Sequence, residues 1–272
     1  MATVHPVPLP DDLTRAVGRE MRRITRPPFE TLLTVAFNAA LMSSAWFFLP
    51  PRLVNQLFEL HGSVAFAFVL SSWMYSDVPA TNVLATNAPQ ALAAIDSPRE
   101  LRRILAARRV VLWSVVAPVC LLISFAIGFG SADPTLAIYS IAAIGVIPFG
   151  VLAVSAWLGI LFPYHPIPIA YRWQHRREWW PMLGRWATLV LLPYAIVPVL
   201  SITLMAPTLL VWGITSKSGL TKKLPDNDVG LGIALACAIA VAATYLGQHL
   251  SLIFIARRRD RLVAYLSDPR LG

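Results

Sequence analysis

The sequence predicts an all-α, polytopic membrane protein. It has six transmembrane helices, both ends in the cytoplasm and an amphipathic interfacial helix ahead of the first span. Three observations predict this. Apolar residues make up 57% of the 272 and charged residues only 14%, against about 25% charged in an ordinary soluble domain. Six stretches of near-bilayer length contain no Asp, Glu, Lys or Arg. The basic residues fall overwhelmingly on one side of those stretches.

The domain reading has two parts: a cytoplasmic N-terminus with its elbow-like helix over 1–30, and a six-helix membrane domain over 31–272. After Pro-rich residues 1–10, Asp11 to Arg26 reads as a helix with Leu13, Val17, Met21 and Ile24 on one face and Arg15, Arg19, Arg22 and Arg26 on another. Acids at its start and bases at its end suit the helix macrodipole. A basic amphipathic helix beside a span is expected to lie in the membrane interface, as an anchor or as a contact for a cytoplasmic partner. Pro27 and Pro28 end it.

The spans follow at about 32–49, 60–75, 110–129, 135–161, 186–210 and 229–255. A hydrocarbon core of roughly 30 Å takes about 20 apolar residues as a helix, and only helices satisfy their own backbone in lipid without closing a barrel. Pro118, Pro148, Pro193 and Pro198 suggest kinks in spans three, four and five. Gly232, Ala236, Ala240 and Thr244 recur every four residues in span six, with Ala243 and Gly247 beside them. Such a small-residue stripe serves close helix contact, within one protomer or across a dimer.

Arginines set the orientation. Nineteen of the 23 basic residues lie in the N-terminus, the 76–109 loop, the 162–185 loop and the C-terminal tail, which leaves Arg52, Lys217, Lys222 and Lys223 opposite. The basic side is cytoplasmic. The net charge of +9 is thereby read as a topology signal with attraction to anionic headgroups, and nucleic acid is not expected as a partner. The first 30 residues lack the apolar core of a cleavable signal peptide. Cys120 and Cys237 fall within spans, as packing residues.

Motifs for chemistry within the chain are missing. There is no phosphate-binding G-x-x-x-x-G-K-[ST] loop, no G-x-G-x-x-G, H-E-x-x-H, C-x-x-C or G-x-S-x-G. The expectation is a non-enzyme with no catalytic, cofactor or metal residues. His249, about 12 Å of helix rise from Arg257, is read either as a ligand or proton-relay group or as a hydrogen-bonded packing residue.

On the cytoplasmic side, Ser97-Pro98-Arg99-Glu100 is a helix start: Ser97 can cap, Pro98 suits the first helical position and Glu100 can complete a capping box. Thr81 to Ile95, mildly apolar and partly helical, precedes it, so that the two form a compact element on that face. Span four ends in Gly159-Ile160-Leu161-Phe162-Pro163, ahead of Trp173, Trp179 and Trp180 among arginines. Such a cluster is an interfacial belt or a docking surface.

With six spans and an elbow helix, the chain resembles the permease subunits of bacterial ABC-2 type exporters. The segment Ala94-Ile95-Asp96-Ser97-Pro98-Arg99-Glu100-Leu101 is similar to that family's apolar-Ser-Pro segment ahead of span three. Leu158 to Pro163 is similar to the family's polar-Ser-x-x-Phe-Pro end to span four, departing from it at Leu158 and Gly159. Rich Ala, Arg and Val with scarce Lys resembles actinobacterial usage. The resemblance implies an exporter subunit with ATP and Mg bound on a separate ATP-binding cassette subunit, a second membrane half as homo- or heterodimer, and a hydrophobic or amphipathic substrate moved outward. It implies coupling through Thr81 to Arg103, with Asp96, Ser97, Arg99, Glu100, Arg102 and Arg103 as partner-contact candidates. Asn38, Ser43, Ser44, Ser71, Ser72 and His249 are the polar candidates for a substrate path. A membrane scaffold of a larger complex is the alternative from another class. A lipid-metabolising enzyme using His165, His175 and Arg176 is the third.

Overall fold

The computed structural model describes residues 9–27, 29–48, 50–52, 70–75, 81–128, 144–163, 165 and 226–268, with short pieces between 184 and 210. The spans expected at 60–75, 135–161 and 186–210 are covered in part. Residues 211–225 and the tract carrying Arg172, Trp173, His175, Arg176, Trp179 and Trp180 lie outside the described residues. Everything regular that is described is helical, so the chain is all-α, with no strand among the described residues.

Helix α1 (Leu13–Ile24) begins where Asp12 accepts a hydrogen bond from the Arg15 backbone N–H at 2.6 Å and ends on Arg22 and Arg23. The side chain of an N-cap Asp satisfies one of the orphan N–H groups there. The buried face of α1 is a surprise. It is Ala16, Glu20 and Ile24. Leu13 is exposed, and Val17 and Met21 are only partly covered. Of the apolar stripe at 13, 17, 21 and 24, only Ile24 packs on the protein, and the other three stay outward, as on an interfacial helix. A face carrying a carboxylate packs instead, because its arginine partners lie beneath it.

Helix α2 (Glu30–Phe48) packs Val35, Asn38 and Ala39 inward. Its opposite side presents Leu33, Phe37, Leu41 and Phe48, with Phe37 67% and Phe48 86% exposed. A helical stretch at 70–75 lies against it and is wholly buried except Trp73. Residues 85–87 form one 3-10 turn and α3 (Ala88–Ala94) follows.

Helix α4 (Pro98–Gly128) is continuous through Pro118 and about 46 Å long at 1.5 Å per residue. Helix α5 (Ile147–Leu161) carries Pro148 in its first turn. Proline there loses no helix hydrogen bond, and its fixed φ suits the position. Residues 144–145 are helical, Val146 is a turn and helix resumes at Ile147, so the helix is interrupted beside Pro148, where the sequence suggested a kink; residues 135–143 lie outside the described residues. Helix α6 (Asp226–Arg257) starts three residues before the expected span, and α7 (Arg259–Ser267) is the last helix among the described residues.

Among the described residues the most extensive helix pairing is α5 along α6. Gly150 approaches Ala240 and Ala243, and Gly247 approaches Ala153 and Val154. The small-residue stripe therefore packs inside the protomer, against α5. Because both contacts advance together along the sequence, α5 and α6 run in the same direction. Against α4 the order reverses: Trp113 donates to the Gly145 carbonyl at 2.8 Å, while Leu105 and Arg109 share a small cavity with Ala153 and Ala156. So α4 is antiparallel to both.

Among the described residues, two helices are long and apolar enough to cross a bilayer, Pro98–Ala126 and Ala234–Arg257. Pro148–Leu161 and Leu191–Leu204 are shorter apolar helices. Only 22% of the best window of Ala234–Arg257 is buried, with Val241, Tyr245, Leu246 and Leu250 facing outward. A core helix of a water-soluble protein would be mostly covered.

Candidate functional site

Two buried clusters divide the molecule. One joins α2, residues 70–75, α4 and α5 around Tyr75, Val116 and Leu152. The other gathers Val83, Leu84, Ala91 and Ala94 with Leu101 and Leu105 of α4 and Leu262 and Leu266 of α7. This second cluster builds a shelf across the arginine-rich end of the helices, and it contains the expected coupling segment.

The shelf is braced from below. A β-carbon on Gly159 would collide with the Thr81 carbonyl and stand 3.0 Å from the Asn82 Cα. Only glycine lets the end of α5 approach this backbone so closely. Thr86 donates to the Asn82 carbonyl at 3.1 Å and Asn87 to the Gln90 side chain at 2.9 Å. Gln248 of α6 donates to the Arg102 carbonyl at 3.0 Å. His165 is buried, its Nε2 2.9 Å from the Tyr265 carbonyl and its ring stacked on that tyrosine at 4.9 Å.

The six coupling candidates share this shelf in different roles. Ser97 caps α4, its Oγ accepting from the Glu100 N–H at 3.5 Å. Arg103 donates to the Pro10 carbonyl and ties down the N-terminal segment. Asp96 is exposed and takes two hydrogen bonds from Arg259, at 2.6 and 3.0 Å. These bonds hold its carboxyl below the usual aspartate range and raise the arginine. Arg99 and Arg102 are exposed, and Glu100 is half-buried. The outer surface of the shelf is thus a charged ridge of Asp96, Arg99, Arg102 and Arg259.

The substrate-path candidates do not converge. Asn38 accepts a hydrogen bond from the Trp73 indole at 3.2 Å, which places it beside buried Ser71 and Ser72. Ser43 is half-buried and Ser44 exposed on α2. His249 is exposed on α6, neither packed nor joined to the Asn38 group.

Sequence reasoning missed a buried charge cluster where α1 crosses α4. Glu20 receives two hydrogen bonds from Arg23, at 3.0 and 2.6 Å, and the Arg108 Nε lies 3.7 Å away. Burial pushes the Glu20 carboxyl up, but the Arg23 hydrogen bonds and the charges of Arg108 and Arg23 outweigh it, leaving the pKa below its ordinary 4.5. The available signal was a lone acid among five arginines, three residues before Arg23. Cys120 and Cys237 are free thiols. Among the described residues no group of three His, Cys, Asp or Glu side chains is placed to hold a metal.

No protein-family model, curated protein or solved structure matches this chain.

Proposed function

We propose that this chain is the membrane-spanning permease subunit of an ATP-binding cassette exporter. In this reading it moves a hydrophobic or amphipathic substrate outward, using ATP hydrolysed by a separate subunit docked on the shelf. The observation that carries the proposal is the braced shelf. Its charged outer ridge is fixed by α5 at Gly159, α6 at Gln248 and α7 at Arg259. A push on the ridge is therefore transmitted to three helices rather than absorbed by a loop, which is what coupling to a partner's ATP cycle requires.

Embedding in lipid is supported by the outward apolar faces of α2 and α6. Patches of that size are costly in water and cost nothing against acyl chains. Six spans with both termini inside are supported by helix direction. Spans four and six must run the same way and span three the opposite way, as α5, α6 and α4 do. The return between α5 and α6 needs one further crossing, which the apolar 186–210 segment supplies. The partly exposed Leu13, Val17 and Met21 stripe of α1 suits an interfacial elbow helix.

A scaffold subunit would use the same ridge without an ATPase. The lipid-enzyme reading is weakened because His165 is engaged with Tyr265. The test is co-purification from the native host. An ATP-binding cassette subunit is expected to come with the wild-type chain and to be lost from Arg99→Glu combined with Arg102→Glu. A stoichiometric complex lacking any ATPase refutes the exporter reading. For topology, cysteines placed in 215–225 should react with impermeant reagent from outside; labelling only from the cytosol refutes six spans.

A further inference from the structure

The cluster between α1 and α4 holds more positive charge than its carboxylate can balance. Three guanidinium groups, Arg23, Arg108 and Arg109, face one acid, Glu20, around a partly open cleft of about 30 Å³. That volume has room for about two water-sized groups, enough for two oxygens of a larger anion whose remainder projects through the open side. Arg108 is only 8% exposed, yet none of its three guanidinium nitrogens makes a hydrogen bond among the described residues. Its contact with Glu20, at 3.7 Å, is an ion pair beyond hydrogen-bond length. Arg109 is as deeply buried and its Nη1 is also without a partner.

Buried arginine N–H groups are costly when unmet. Sequestering two arginines beside one already-paired acid makes sense if another acceptor completes the set. That acceptor must be anionic, must offer several oxygens and must fit a narrow opening. Thr31 and Thr86 also line the cleft, the Thr86 hydroxyl already donating to the Asn82 carbonyl. A phosphate group meets these demands, since planar guanidinium donors match its oxygens in pairs.

We propose that Arg108 and Arg109, with Arg23, form a binding site for a phosphate group, carried by an anionic phospholipid headgroup or free in solution. The occupant staples α1 onto α4. Glu20 is the internal competitor that holds Arg23 in place and limits affinity. This inference stands apart from the exporter reading, because it needs only the geometry of the α1–α4 crossing.

The test uses the full chain in neutral detergent and in nanodiscs. Inorganic phosphate is titrated against thermal stability in detergent. Nanodiscs of pure phosphatidylcholine are compared with ones containing phosphatidylglycerol, and native mass spectrometry counts retained lipid. Wild type should be stabilised by one of the two probes. Response to phosphatidylglycerol alone marks a headgroup, and response to inorganic phosphate marks a free anion. Arg108→Gln should bind at least about tenfold more weakly. Glu20→Gln should bind several-fold more tightly, because the competing charge is gone, and Arg15→Gln, exposed on the same helix, should match wild type. Stabilisation by neither probe, or Arg108→Gln within about twofold of wild type, overturns the proposal. If Arg108→Gln does not fold, Glu20→Gln decides, and binding no tighter than wild type overturns it.

Discussion

Adding one methyl group at Gly247 should loosen the α5–α6 pair measurably. A β-carbon there would stand 2.6 Å from the Ala153 carbonyl carbon, 2.7 Å from its oxygen and 2.8 Å from the Val154 nitrogen. All three are main-chain atoms, so no side chain can rotate away and α5 as a whole must retreat. Reaching ordinary contact needs a shift of about 0.7 Å, and overpacking of this kind costs roughly 1–3 kcal/mol. Alanine's better helix propensity returns up to about 1 kcal/mol. With three main-chain contacts below 3.0 Å the overpacking cost falls in the upper part of its range, about 2–3 kcal/mol, so the net loss is about 1–2 kcal/mol, or a fall in melting temperature of about 2–8 °C for a chain of this size. Gly18, with nothing within 4 Å of its β-position, supplies the control. Gly18→Ala carries only the propensity gain and should stabilise slightly. Gly150→Ala, where the nearest atoms are 3.1–3.2 Å away on α6, should cost less than Gly247→Ala. The double variant should cost less than the two added, since helices already separated by one methyl accommodate the second. The assay is thermal unfolding in detergent. A Gly247→Ala melting temperature at or above wild type would refute the close packing of α5 on α6.

Gly159→Ala should be at least as damaging and should act at the shelf, raising protease cleavage within 81–97 while Gly18→Ala leaves it unchanged. The Glu20 carboxyl has a folded pKa below its ordinary 4.5, so its contribution is complete above that value and is lost as pH falls through the folded pKa. Melting temperature followed from about pH 7 to about pH 3 should drop at the acid end, and Glu20→Gln should flatten that limb. The Asp96–Arg259 pair is exposed, and exposed pairs contribute little to stability. Asp96→Lys should therefore leave the melting temperature unchanged within error while weakening capture of the proposed ATP-binding subunit, measured by pull-down.

The helical class, the amphipathic N-terminal helix and the Ser97-Pro98 start of α4 are all legible in residue order. Each is a local property. Apolar spacing fixes which stretches repeat with a helical period, and capping chemistry acts within one turn. The end of α6 was equally readable, because Arg257 closes an uncharged run. The interruption beside Pro148 was readable too, because a proline lacks the backbone N–H that a continuous helix would use there.

Partner choice is another matter. That span six carries a small-residue stripe was visible, but that it meets α5 was not, since Gly150 and Gly247 are distant along the chain. The amphipathic pattern of 11–26 marked Leu13, Val17, Met21 and Ile24, of which only Ile24 is buried, and nothing in it marked Glu20, which is buried beside it. Burying that carboxylate becomes favourable only once folding brings Arg108 beneath it, 88 residues further on. Periodicity along a helix records how each side chain partitions between water and an apolar phase. It carries no term for which other helix stands opposite, and the shelf, the Gly159 contact and the arginine cluster are all made of such opposing pairs.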